Sequence, residues 1–245
     1  MELLVPIVVG FAAGIIGTGL GGGLPFVFKL EGKRVTAFLL AAAAGVMTSI
    51  SLLELVPEAV EAAGGSWAAV GLVLGTLGLY LLDRMLPHIH RGTGAEKANG
   101  MIRTGILICL GISLHNFPEG LAIGAGYAHE AAFGLNVAIL IALQNIPEGV
   151  AMAVPLRAGN VSPRNTILAA VGSGIPMGLG AALGLFAGSV SPIWLSISLS
   201  SAAGAMMYVV SDELIPEAHA LGVPPYPTTG LVTGIIVGVL ACFLG

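Results

Sequence analysis

Charge is what this sequence has least of. Only 9% of its 245 residues are charged and 56% are hydrophobic, whereas about a quarter of the residues in a soluble domain are charged. Apolar runs of about 20 residues, enough to cross a bilayer, recur along the whole length. The composition excludes the ordinary soluble class. It indicates a polytopic membrane protein with no room for a sizeable soluble domain.

Thiols and two common catalytic motifs are also scarce or missing. The two cysteines, Cys109 and Cys242, both lie inside apolar runs, which excludes a disulfide framework and a zinc knuckle. We interpret them as small packing residues. The glycine-rich run GTGLGGGLP at 17–25 lacks the Gly-Lys-Ser/Thr of a phosphate-binding loop, and no HExxH sequence occurs. The missing HExxH sequence argues against an intramembrane metal-dependent hydrolase.

The apolar runs predict one transmembrane domain over 1–245, built from eight helices. Their expected ranges are about 3–28, 35–62, 66–86, 101–128, 131–156, 164–189, 192–220 and 228–244. The stretch 87–100, PHIHRGTGAEKANG, is polar and predicts a cytoplasmic loop between helices three and four. His88 and His90 in this loop are interpreted as solvated side chains.

The basic residues predict the orientation in the membrane. All nine fall in or beside the connections after helices one, three and five, and the connections after helices two, four, six and seven carry none. Cytoplasmic connections are enriched in Lys and Arg. The three basic connections are therefore expected on the inside, and with eight spans both termini face outward.

Two near-repeats organise the chain. HNFPEG at 115–120 and QNIPEG at 144–149 lie in helices four and five, and ELVPEA at 54–59 and ELIPEA at 213–218 lie in helices two and seven. The members of each pair sit on helices expected to run in opposite directions, so both repeats are inverted. Helices one to three and six to eight form two related halves around a central pair, a pattern typical of secondary transporters.

The central motifs combine a helix-breaking residue with metal-ligating side chains. His115 and Glu119 are four residues apart and share a helix face. Pro118 leaves the carbonyl of Leu114 without its usual partner and predicts a kink. Such backbone is tolerated at this depth only where it is buried in protein or lines a cavity. We therefore expect a polar centre between helices four and five.

Two carboxylates, Glu119 and Glu148, would repel each other at this centre if both were ionised. Protonation would relieve the repulsion, and a proton-coupled carrier of another substrate is one alternative. A divalent cation would neutralise both and accept imidazole and carboxamide ligands as well. Histidine with carboxylates suits zinc, iron, manganese or cobalt better than calcium or magnesium.

At this point the residues resemble a known family. HNFPEG and QNIPEG in consecutive spans, with eight helices and outward termini, are similar to the ZIP (ZRT/IRT-like) divalent metal transporters, most of all the compact prokaryotic GufA-like branch. The resemblance covers essentially the whole chain. It implies a 3+2+3 helix arrangement, a homodimer, and a binuclear metal site between helices four and five.

The resemblance also implies roles for individual residues. Glu119 and Glu148 bridge two metal positions. The first position is lined by His115, Glu119, Glu148 and the adjoining Gln144, and the second by Asn116, Asn145 and Glu213. Glu54, the inverted counterpart of Glu213, flanks the pathway. Met47 is a candidate soft contact on the pathway, although filling a gap in the core is the plainer reading.

The expected function is uptake of zinc, with iron, manganese and cadmium as further candidates, across the cytoplasmic (inner) membrane. The metal is substrate rather than cofactor, and no enzymatic activity or nucleic-acid partner is expected. The chain departs from the family at Gln144, where many members carry histidine. That departure removes a strong nitrogen ligand from the first position.

Overall fold

The computed structural model describes residues 4–28, 32–85, 97–221 and 224–244. These residues form eight helices and contain no strand. We label the helices α1 Leu4–Val27, α2 Lys33–Ala63, α3 Gly65–Met85, α4 Lys97–His129, α5 Ala131–Ala158, α6 Pro163–Gly188, α7 Pro192–Ala220 and α8 Tyr226–Leu244. Each bound lies within four residues of the range expected from the sequence.

Most of these helices can cross a bilayer. Among the described residues, seven helices are long and apolar enough to do so, namely all except α4. Helix α4 has 33 residues and packs among the other helices. The prediction of an all-α, multi-pass membrane protein is therefore confirmed.

The predicted loop at 87–100 is too long at its C-terminal end. Residues 97–100 belong to the start of α4, because alanine and lysine favour helix and a single glycine does not end one. The remainder of the loop, including His88 and His90, lies outside the described residues.

The packing of the helices repeats across the chain. Helix α1 packs against α6 and α5, and its counterpart α6 packs against α1 and α4. In the same way, α2 packs against α8, and its counterpart α7 packs against α3. Helix α4 contacts α7 in the way that α5 contacts α2, and α4 and α5 contact each other. Exchanging α1–α3 for α6–α8 and α4 for α5 reproduces the same contacts, which is the 3+2+3 arrangement predicted from the repeats.

Glycines let the central helix α4 lie directly on α6. A Cβ atom on Gly120 or Gly124 of α4, or on Gly180 or Gly184 of α6, would collide with a main-chain carbonyl of the facing helix. Both helices therefore carry glycine at i and i+4 along one seam, a pattern that allows close helix packing in membranes. This seam fixes the face that α4 turns toward the centre.

Helices α2 and α7 each contain one widened turn. The π-helical segments are Ser51–Leu55 in α2 and Val210–Leu214 in α7. At their ends the Val56 N–H donates to the Ser51 carbonyl and the Ile215 N–H donates to the Val210 carbonyl, five residues back. The apolar pattern of the sequence predicts ordinary α-helix at both places.

A proline explains each widened turn. Pro57 and Pro216 follow their π segments by two residues, at the same point of the inverted repeat. A proline ring clashes with the carbonyl four residues before it in a regular helix. An extra residue in the preceding turn relieves that clash, and such turns are frequent at functional sites.

Candidate metal centre

The two central helices bring six of the predicted ligands together. In each motif the glutamate lies four residues after the first polar residue and three after the asparagine, about one turn from both, so α4 and α5 bring these side chains into one buried region. All six are at most 4% exposed. They are His115, Asn116 and Glu119 of α4 and Gln144, Asn145 and Glu148 of α5.

The carboxylates and the amide of Gln144 join the two helices. The Gln144 Nε2 donates a hydrogen bond of 2.6 Å to Glu119 Oε1. The Glu119 and Glu148 carboxylates are close enough to interact electrostatically. The pair of acids predicted from the sequence therefore does converge on one region between α4 and α5.

The two asparagines are oriented by α6, a helix that the motifs do not mention. Asn116 Nδ2 donates to the main-chain carbonyl of Ser173 at 2.7 Å, and Asn145 Nδ2 lies 4.0 Å from the sulfur of Met177. Both amide nitrogens thus contact α6, and neither amide oxygen has a hydrogen-bond partner among the described residues. Nothing in the local sequence of α6 identified this role, since Ser173 and Met177 lie in an otherwise apolar run.

The centre presents an unusual set of buried acceptors without hydrogen-bond partners among the described residues. Buried polar atoms in native proteins are almost always satisfied. Here the unsatisfied atoms come from every one of the six side chains. They are His115 Nδ1, Asn116 Oδ1, Glu119 Oε2, Gln144 Oε1, Asn145 Oδ1 and both carboxylate oxygens of Glu148. Six of these seven atoms are oxygens, which are acceptors unless a carboxyl group is protonated, so a proton, a hydrogen-bond donor or a cation would satisfy them.

Glu213 reaches the centre from outside the central pair. Its Oε1 lies 3.0 Å from His115 Nε2, and its side chain is 22% exposed. It sits in the π segment of α7, so the widened turn carries a ligand candidate to α4. The resemblance groups Glu213 with Asn116 and Asn145, whereas here its carboxylate pairs with His115.

The charged ligands alone do not complete a metal site in this arrangement. Within the described ranges, no three His, Cys, Asp or Glu side chains converge closely enough to hold a metal ion. The His115 imidazole pairs with Glu213, and the Glu119 carboxylate lies near that of Glu148. Completing a coordination sphere therefore needs the amide oxygens of the three carboxamide side chains. The binuclear arrangement stays a prediction.

The two predicted pathway residues lie in α2. Glu54 belongs to the π segment of α2, and the Cys242 thiol of α8 and the Glu58 carboxylate lie near its side chain. Met47 is fully buried in the main hydrophobic core, which matches the gap-filling alternative.

The fold and the centre together define a class of protein. It is a multi-pass helical membrane protein with buried carboxylate, imidazole and carboxamide groups between its two central helices. The sequence profile of the ZIP Zinc transporter family matches residues 3–102 and 90–243. The chain therefore belongs to the ZIP family, and the resemblance seen in the sequence is confirmed.

Curated relatives support the same family. The chain is similar to the Zinc transporter ZupT of Salmonella heidelberg (strain SL476), with 39% identity over 145 residues, 56% of each chain. It is similar to the ZupT of Enterobacter sp. (strain 638), with 40% identity over 142 residues, 55% of this chain and 54% of the relative. In these matches the chain spans about half the length of the relatives.

Proposed function

We propose that this protein carries divalent transition-metal ions, with zinc as the first candidate and iron, manganese and cadmium as further ones, across the cytoplasmic membrane into the cell. The observation that carries the proposal is the set of buried acceptor atoms without partners between α4 and α5. A cation satisfies several such oxygens at once and offsets the repulsion between Glu119 and Glu148. Family membership supports the same cargo.

The proposed site is binuclear. Glu119 and Glu148 bridge two ions, since each carboxylate keeps at least one oxygen without a hydrogen bond. His115 and Gln144 complete the first position, and Asn116, Asn145 and Glu213 the second. Mixed nitrogen and oxygen ligation without thiolate suits an ion that has to be released again.

His115 offers two ways to bind a metal at the first position. Its Nε2 is paired with Glu213, and its buried Nδ1 has no partner. A metal at the first position either uses Nδ1 or takes Nε2 from Glu213. In the second case Glu213 is freed for the second position as the first one fills, which links the two positions through α7.

The proposed orientation places the basic connections in the cytoplasm and both termini outside. The Arg34 guanidinium lies over the ring of Tyr226, 5.7 Å from its centroid. The start of α8 therefore lies on the same side as the start of α2, as alternating spans require. The proposed assembly is a homodimer in the inner membrane, as the family resemblance implies.

Metal uptake into proteoliposomes tests the proposed function. We expect uptake of zinc, reduced by competing iron, manganese or cadmium and lost in the Glu119→Ala variant. Proton uptake without dependence on any of these metals would instead favour a proton-coupled carrier. Metal-dependent cleavage of a peptide would favour the hydrolase alternative.

Cysteine labelling tests the orientation. In a background with Cys109 and Cys242 replaced by serine, a cysteine at Gly65 should react with an impermeant thiol reagent added outside cells. A cysteine at Asn165 should not. Both positions are exposed, and a Cβ at Gly65 meets nothing within 4 Å. The reverse labelling pattern would overturn the orientation.

A further inference from the structure

A groove of about 530 Å³, lined by none of the proposed metal ligands, lies between the helices α1 and α5 on one side and α2 and α8 on the other. This volume is in the range of known ligand cavities, about 300–1,000 Å³. Its lining residues share an apolar character with one exception. They include Phe38 and Leu39 of α2 and Leu143, Ile146 and Pro147 of α5, with Arg34 as the exception.

The groove faces the hydrocarbon of the bilayer. Leu143 on its wall is 55% exposed, although it sits in the middle of the span α5. At that depth a large exposed side chain contacts lipid rather than water. The natural occupant of an apolar groove open to the bilayer is an acyl chain.

One end of the groove carries positive charge and an aromatic ring. Arg34, in the first turn of α2, lines this end, and its guanidinium stacks over Tyr226, which also lines the groove. None of the described residues on the groove wall is acidic. Tyrosine and arginine at a helix end mark the level of the lipid headgroups, and basic pockets between transmembrane helices bind anionic headgroups.

We propose that this groove binds one anionic phospholipid, with an acyl chain along Leu143–Pro147 and the phosphate on Arg34. Arginine recognises phosphate by two parallel hydrogen bonds, and the ring of Tyr226 holds the guanidinium at the mouth. This lipid site is independent of the proposed metal transport. Its wall nonetheless includes Ile146 and Pro147, which directly precede Glu148 on α5.

Photo-crosslinking in nanodiscs tests the proposal. The full chain is placed in phosphatidylcholine containing a minor fraction of either phosphatidylglycerol or phosphatidylcholine with the same photoactivatable acyl chain. Adducts are then mapped by mass spectrometry. We expect adducts on 35–39 and 143–150, several-fold more abundant with phosphatidylglycerol than with phosphatidylcholine. Equal adducts from the two lipids, or none on these segments, would overturn the proposal.

Two variants sharpen this experiment. Arg34→Gln should lower the phosphatidylglycerol adducts to the phosphatidylcholine level, whereas Lys33→Gln should leave them unchanged. Lys33 is exposed, at the same level of the membrane, and is not part of the groove wall. Leu143→Trp fills the groove from a lipid-facing position and should remove adducts of both lipids. An equal loss in Lys33→Gln and Arg34→Gln would show attraction by surface charge alone and reject the site.

Discussion

The Pro-Glu dipeptide occurs four times in the repeats, and the two central copies differ from the two outer copies in where the glutamate lies. Glu119 and Glu148 of the central helices are 0% and 1% exposed, and their helices continue as α-helix through the proline, without a π segment. Glu58 and Glu217 of the outer helices follow a π segment, and both are more exposed. The same local sequence therefore produces a buried acid only where neighbouring helices enclose it.

The outer copies use a different acid. There the glutamate three residues before the proline, Glu54 or Glu213, sits in the widened turn. The two are equivalent in the repeat but not in their partners, because Glu213 reaches His115 and Glu54 lies against Cys242. The repeated sequence thus gives two equivalent helices, but the glutamates at equivalent positions in them have different partners.

The largest effect is expected from removing a central glutamate. Glu119→Ala and Glu148→Ala should each lower metal uptake by about 100-fold or more, because even outer-shell partners of metal ligands are worth about 10–100-fold. Glu217→Ala, the same change in an outer copy of the motif, should keep most of the uptake. Proteoliposome uptake with matched protein amounts measures this. Near-normal uptake by both central variants would refute the proposed centre.

A smaller effect should separate the two acids of the π segments. Glu213→Gln removes the negative charge that pairs with His115 and replaces a proposed carboxylate ligand by a weaker amide oxygen, so zinc affinity should fall by about 10-fold. Glu54→Gln changes an acid that contacts the Cys242 thiol, and affinity should change much less. Isothermal titration of the purified variants provides the measurement. Equal losses in both variants would mean that the two halves serve the metal symmetrically.

Acid should weaken metal binding by protonating the central ligands, and the ion pair between His129 and Glu58 should play no part in this pH dependence. Protons compete with metal for imidazole and carboxylate ligands, so affinity should fall as pH is lowered from about 8 to about 5, where histidine normally changes charge. His115→Ala should flatten this dependence. His129→Gln removes the histidine that pairs with Glu58 at 2.8 Å and should leave the profile unchanged. An identical profile in wild type and His115→Ala would argue against His115 as a ligand.

The smallest effect is expected at the first position of the central motifs, where α4 carries His115 and α5 carries Gln144. Gln144→His gives α5 the same histidine and adds a nitrogen ligand. Zinc should then bind a few-fold tighter relative to manganese, while Gln144→Ala should lower affinity only slightly. Competition between the two metals measures the change, together with uptake, since a tighter site also releases its ion more slowly. An unchanged zinc preference would place Gln144 outside the coordination sphere.

The helices and the central acids could be predicted from the sequence because their signals are local. Apolar runs define spans, and the spacing of His115 and Glu119 defines a shared face. The contacts of Asn116 with Ser173 and of His115 with Glu213 could not be predicted in this way. They depend on how α6 and α7 lie against α4. The glycine seam determines the packing of α6 on α4, and the π segment determines where α7 places Glu213. The proline of ELIPEA signals a disturbed helix, but not the direction in which Glu213 is then turned.

The connection between α4 and α5 consists of Glu130 alone. Its N–H and carbonyl are both bonded to the flanking helices, to Gly126 and Gly134, so the connection has no spare length. Adding or deleting one residue in either helix between the connection and the centre would turn the ligands beyond it by about 100° and shift them by about 1.5 Å. Evolution can therefore retune this centre by substitution, as at Gln144, while insertions and deletions between His115 and Glu148 would separate its two halves.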